Sequence, residues 1–95
     1  MVVGIGMIQI MIHDASSLKS KRRVVKSILG RVRSKFHLSI AEVDDQDKWQ
    51  SCSIGFAVVT NEAGLAHTML QNVADYIEGL HLAEVTNYDI EILHY

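Results

Sequence analysis

The chain has no proline, one cysteine and six aromatic residues (two Phe, three Tyr and one Trp) among 95. Outside a single stretch it also has almost no positive charge. Each scarcity excludes something. Without proline or any low-complexity tract there is no candidate linker, so residues 1–95 read as one domain. Cys52 has no partner for an internal disulfide, which excludes a disulfide-stapled scaffold and fits a reducing cytoplasm. No apolar run approaches the roughly 20 residues needed to cross a bilayer. The apolar start, Met1 to Ile12, lacks a basic flank and is too short for a membrane helix, so it reads as a strand and not as a targeting segment. Hydrophobic residues make up 48% of the chain, enough to build a core in a domain of this size.

What is present is a block of cations. Eight of the nine Lys and Arg residues lie between Lys19 and Lys35: Lys19, Lys21, Arg22, Arg23, Lys26, Arg31, Arg33 and Lys35. With Asp14 as the one acid, residues 1–36 carry a net +7, and residues 37–95, with Lys48 against ten acids, carry −9. The whole-chain charge of −2 conceals this asymmetry. A block of this kind in a near-neutral chain predicts one surface built for an anionic partner.

Val2 to Ile12 is rich in β-branched residues and apolar on both faces. Val3, Ile5, Met7 and Met11 lie on one, Ile8, Ile10 and Ile12 on the other, as in a strand buried on both sides. The polar run from His13 to Ser16 is a turn, and Ser16 or Ser17 can cap a helix over Leu18 to Phe36. Leu18, Val25, Ile28, Leu29, Val32 and Phe36 form its apolar stripe. Gly30 inside it suggests close packing, since glycine there costs about 1 kcal/mol relative to alanine. Leu38 to Val43 is a short strand, Asp44 to Lys48 a polar loop, and Trp49 to Thr60 a longer strand. Asn61 is placed to cap a second helix with Leu65, Met69, Val73, Tyr76, Ile77 and Leu80 as its stripe and Gly79 as its C-terminal cap. Val85 to Leu93 closes as a strand with Tyr88, Ile90 and Ile92 alternating with Asn87, Asp89 and Glu91. The order β-α-β-β-α-β predicts an α+β ferredoxin-like sandwich, a four-stranded antiparallel sheet with two helices on one face. The first and third strands, apolar on both sides, take the central places.

Several chemistries can be weighed. At about 100° per residue, Lys19, Arg22, Arg23, Lys26 and Arg33 share one sector beside the apolar stripe. A solvated face paired with the acidic half of the chain is the plain alternative, but the cations crowd the helix start, where the dipole disfavours them and an anion is welcome. The segment from Ile54 to Val59 resembles the central strand of an RNA recognition motif. That motif needs stacking aromatics on the open face of two strands, and only Phe56 is available, so Phe56 is expected in the core. Asp44, Asp45 and Asp47 do not match a calcium loop, and His13, His37, His67, His81 and His94 show no paired ligand spacing, so no metal or cofactor is expected. Cys52 is expected to be a small core residue. Gly4-Ile5-Gly6 lies within a strand, which is the wrong place for a nucleotide-binding turn. No constellation supports an enzyme.

Ser17-Leu18-Lys19-Ser20-Lys21-Arg22-Arg23-Val24-Val25-Lys26-Ser27 resembles the signature of the bacterial YlxP-like family of small domains of unknown function. Ala41 to Asp44, Gln46-Asp47, Trp49-Gln50, Ile54-Gly55, Val58 and Asn61 resemble its second block. Ser20 departs from it, where an acid is common. The resemblance implies a ferredoxin-like fold without a known reaction. Genes of the family often neighbour those of translation and ribosome-maturation factors, which implies a role at RNA or the ribosome. The expectation is therefore a cytoplasmic protein that binds RNA or a ribosomal particle through the eight cations listed above, and that pairs as a homodimer through its sheet face. The alternative is a regulatory or structural homo-oligomer binding a small anion or an acidic protein partner.

Overall fold

The computed structural model describes residues 1–45 and 48–95. Its elements are β1 (Val2–Met11), α1 (Leu18–Lys35), β2 (Ser39–Asp44), β3 (Ser51–Thr60), α2 (Ala63–Gly79) and β4 (Glu84–His94). The strands form one antiparallel sheet in the order β2-β3-β1-β4, with β1 and β3 at the centre. This is the ferredoxin-like sandwich that the pattern of elements predicts.

Packing decides which face of β1 is core. Ile8, Ile10 and Ile12 are buried beneath the helices with Cys52, Ile54, Phe56 and Val58 of β3. Val3, Ile5, Met7 and Met11 therefore lie on the open face. From α1 the core takes Val25, Ile28 and Val32, and from α2 it takes Ala66, Leu70, Val73, Ala74 and Ile77. Leu65, expected in that stripe, is 46% exposed; the seam runs through the smaller Ala66 and Ala74. The reason lies in the sheet. A Cβ at Gly4 would stand 2.9 Å from Leu70 and 3.2 Å from Ala66, and one at Gly6 would stand 2.4 Å from the Phe56 ring. The two glycines thus let α2 and Phe56 settle close on β1. Phe56 stacks on Tyr88 with ring centroids 6.3 Å apart.

The helix ends differ in detail from expectation. Ser17 caps α1, but α2 begins after Glu62, which makes no side-chain cap, instead of after Asn61. At the far end of α2 the left-handed residue is His81 (φ 54°), not Gly79. Gly30 packs against nothing: a Cβ there would meet no atom within 4 Å. Two bulges shape the edges. Thr86 is the extra residue of β4 opposite Gln9 and Ile10, and its hydroxyl donates to the Gln9 carbonyl at 3.2 Å. Val43 is the extra residue of β2, and a Cβ on Gly55 would come within 3.1 Å of it.

These contacts predict opposite responses to the same substitution. Gly6→Ala drives a methyl into the Phe56 ring and should destabilise by about 1–3 kcal/mol. Gly30→Ala adds a methyl in open space and should stabilise by about 1 kcal/mol. Urea melts of the two variants would check both signs.

Candidate functional site

The first helix starts from a reciprocal cap. The Ser17 hydroxyl accepts the Ser20 backbone N–H at 3.1 Å, and the Ser20 hydroxyl accepts the Ser17 N–H at 3.2 Å. Ser20 thereby does with a hydroxyl what an acid does in the usual capping box, and the first turn keeps no negative charge. With Val25, Ile28 and Val32 facing the core, the cations between them are thrown outward.

Lys21 is the exception, and it corrects the expected set of eight. It stands four residues before Val25, on the core stripe itself, and is 1% exposed. Its ammonium lies 3.2 Å from Glu42 Oε2 and donates to the Asp45 carbonyl. Cys52 Sγ donates to the same carboxylate oxygen at 3.2 Å. Burial first, and then the bond to Glu42, push the thiol up to about 12, so Cys52 stays protonated and unreactive at physiological pH. Lys21 is thus a buried tie between α1 and the sheet and is unavailable to a phosphate. Its place on the i, i+4, i+7, i+11 series of buried positions was the signal for this in the sequence.

The other seven, Lys19, Arg22, Arg23, Lys26, Arg31, Arg33 and Lys35, are exposed on one helix. Among the described residues, the Lys or Arg contacts with carboxylates within 4 Å are Lys21 with Glu42 and Lys48 with Asp45. Among the described residues, the outer cations are therefore not paired with the acidic half of the chain. Three of them are held by neutral groups. Arg31 Nε donates to Ser27 Oγ at 3.2 Å, Arg33 Nη2 donates to the Ile40 carbonyl at 2.8 Å, and Lys35 Nζ stands 4.9 Å from the Tyr76 ring centroid. Tyr76 is itself braced edge-on by Phe36, 5.5 Å away. Such partners orient a cation and leave its charge uncompensated. An open groove of about 670 Å³ runs along this surface, with Gly30, Ser27 and Ser34 between Lys26, Arg31 and Lys35, and Tyr76 as one wall.

The remaining candidates fall elsewhere. Asp45 (φ 65°) receives Lys48 on its carboxylate at 3.2 Å and Lys21 on its carbonyl, so lysines tie this turn from both sides. Asp47, the third acid of that loop, and Gln46 lie outside the described residues. Among the described residues no three His, Cys, Asp or Glu side chains are grouped to hold a metal ion. His13 meets Glu84 Oε2 at 2.5 Å, a link between the β1–α1 turn and β4 with no sequence signature. Gln50 braces the same turn by donating to the carbonyls of His13 and Ala15 at 3.1 and 3.3 Å. Phe56 is buried under the helices, so it is not available to stack a base on the open sheet face. That face is apolar at its middle, where Val59 is 67%, Val43 48% and Met7 43% exposed, and acidic along β4 at Asp89 and Glu91. No described helix is long and apolar enough to cross a membrane.

Comparison with known proteins agrees with the basic signature. Residues 3–90 match the family model described as "Protein of unknown function (DUF503)", and the chain belongs to that family. It is 42% identical over 77 residues to the uncharacterized protein YlxP of Bacillus subtilis (strain 168), covering 81% of this chain and 84% of that one. Among solved structures it is similar to SnoaB, a cofactor-independent oxygenase from Streptomyces nogalater, with a TM-score of 0.50 and 9% identity over 98% of this chain and 92% of that one. A de novo designed protein with a ferredoxin fold has a TM-score of 0.49 and 12% identity over 98% and 83% of the two chains. At such identities the SnoaB likeness is one of fold alone.

The buried tie makes a distinct prediction. Lys21→Ala leaves the Glu42 carboxylate, whose side chain is only 20% exposed, without its cation, and should cost about 3 kcal/mol. Replacing both partners, Lys21→Met with Glu42→Leu, should recover most of that loss, because an apolar pair needs no compensation. Chemical denaturation of the three variants would read it.

Proposed function

We propose that this DUF503 member is an RNA- or ribosome-associated binding protein of the cytoplasm that holds phosphates on the outer surface of α1. The contact set is Lys19, Arg22, Arg23, Lys26, Arg31, Arg33 and Lys35. The observation that carries the reading is that among the described residues these seven cations have no carboxylate within 4 Å, while Arg31, Arg33 and Lys35 are oriented by neutral groups. Like charges at i, i+3 and i+4, as in Lys19, Arg22, Arg23 and Lys26, repel one another by a few tenths of a kcal/mol per pair. An anion along the helix relieves that repulsion, and RNA supplies a row of them. Contacts of this kind position a protein on RNA and read no sequence. The role assigned is binding, with no reaction.

Self-association through the open sheet face is the second part of the reading, supported by the exposure of Met7, Val43 and Val59 around Ile5 and Ala57. A two-fold pair would cover this apolar middle and enlarge the core of a small chain. The competing reading, a homo-oligomer whose basic face takes a small anion or an acidic protein, shares the sheet contact and differs at α1.

Two measurements check these statements. With three to five phosphates engaged, affinity for single-stranded RNA should fall with salt at a log–log slope of about −2 to −3.5. Lys19, Arg22, Arg23 and Lys26 changed together to Ala should flatten that slope and leave the melting temperature within a few degrees. Equal binding by both proteins at low salt would remove Lys19, Arg22, Arg23 and Lys26 from the site. For the sheet face, light scattering should report at least twice the 10.6 kDa chain mass. Met7→Glu should return the monomer, whereas Ile8→Glu, on the buried face of the same strand, should unfold it. A wild-type chain that stays monomeric at high concentration would end the dimer proposal.

A further inference from the structure

The groove along α1 has a shape that the charge alone does not require. Gly30 sits in the middle of an 18-residue helix, exposed, with a negative φ and with nothing within 4 Å of where a Cβ would be. Neither packing nor backbone conformation calls for glycine there, and it weakens the helix by about 1 kcal/mol relative to alanine. Its missing side chain keeps the floor of the groove clear between Lys26 on one rim and Arg31 and Lys35 on the other.

We propose that this groove seats one ribose-phosphate strand of single-stranded RNA. Its phosphates would lie on Lys26, Arg31 and Lys35, and its 2′-hydroxyls against Ser27 and Ser34. The inference rests on the RNA reading above and names the part of the nucleic acid that is recognised. The cations extend from Lys26 to Lys35, roughly 13 Å along the axis at 1.5 Å per residue, which suits consecutive phosphates and exceeds a single one. Arg31 is pre-oriented by Ser27 through Nε, so its two terminal amino groups remain for a forked contact with a phosphate. Ser27 accepts that bond and keeps its own O–H to donate; Ser34 is exposed and has no side-chain hydrogen bond among the described residues. Two hydroxyls between two rims of cations match a strand that alternates phosphate with ribose. The 2′-OH is the group by which a protein distinguishes RNA from DNA.

The test is fluorescence anisotropy on the full chain at low salt, with a short single-stranded RNA and the DNA of the same sequence. Wild type should bind the RNA about fivefold or more tightly than the DNA. Gly30→Leu fills the floor without changing charge and should weaken RNA binding about tenfold. Leucine favours the helix and its Cβ would meet no atom within 4 Å, so circular dichroism and melting temperature should show the fold intact. Gly30→Ala, which puts one methyl on the floor, should weaken RNA binding by a smaller factor, about threefold. Ser34→Ala should narrow the RNA-over-DNA preference and leave the salt slope unchanged. A folded Gly30→Leu that binds RNA as wild type does would overturn the groove while sparing the RNA reading. Equal affinity for RNA and DNA would overturn the ribose contact. Absence of any salt-dependent RNA binding by wild type would overturn both the inference and the reading beneath it.

Discussion

A single partly buried carboxylate organises one end of the sandwich. Glu42 on β2 receives the Lys21 ammonium from α1 and the Cys52 thiol from β3, and Lys21 reaches past it to the Asp45 carbonyl. Three elements therefore meet at one group. A charge in that position is tolerated only when its partners are in place, because desolvation costs several kcal/mol per ion and is offset by close pairing. The two signature blocks, one around Lys21 and one around Glu42, become one structural unit here. The start of α1 is thereby anchored on the sheet, and with it the direction in which every other cation of the helix points.

That anchoring divides the basic residues into two kinds. Lys21 is used up inside the protein. The other seven stand outside, and among the described residues none of them is paired with an acid of residues 37–95, which carry −9. Part of that negative charge is held elsewhere: Asp89 and Glu91 line the acidic edge of the opposite sheet face, and Glu42 is turned inward. Charges separated by about a Debye length, near 8–10 Å, are largely screened from one another. The helix therefore presents its positive field outward, held by a hydroxyl, a carbonyl and an aromatic ring instead of by acids.

The sheet sets the other limit. Gly4 and Gly6 bring α2 and Phe56 close to β1, so the helix-covered side is filled with Ile8, Ile10, Ile54 and their neighbours. The opposite side keeps Val3, Ile5 and Met7 facing outward. Phe56, the only aromatic of β3, is consumed by that core. An RNA recognition motif stacks bases on its open face; here Phe56 is taken by the core, and the exposed cations stand on the helical side.

The sequence alone determined the order of elements, the central places of β1 and β3, and the wet face of β4, because period-2 and period-3.6 patterns report directly on burial. It also determined the concentration of positive charge in one helix. Tertiary structure decided the rest. A strand apolar on both sides cannot say which side is core, and the seating of α2 on Gly4 chose Ile8, Ile10 and Ile12. A lysine in a basic run looks like its neighbours, and only the presence of Glu42 beneath it makes Lys21 structural. A helical glycine suggests contact, yet Gly30 faces open space because it lies on the side of α1 opposite its buried stripe. Ion pairs and neutral brackets such as Arg33 with the Ile40 carbonyl depend on groups from separate elements, and chain spacing carries no record of distances closed by folding.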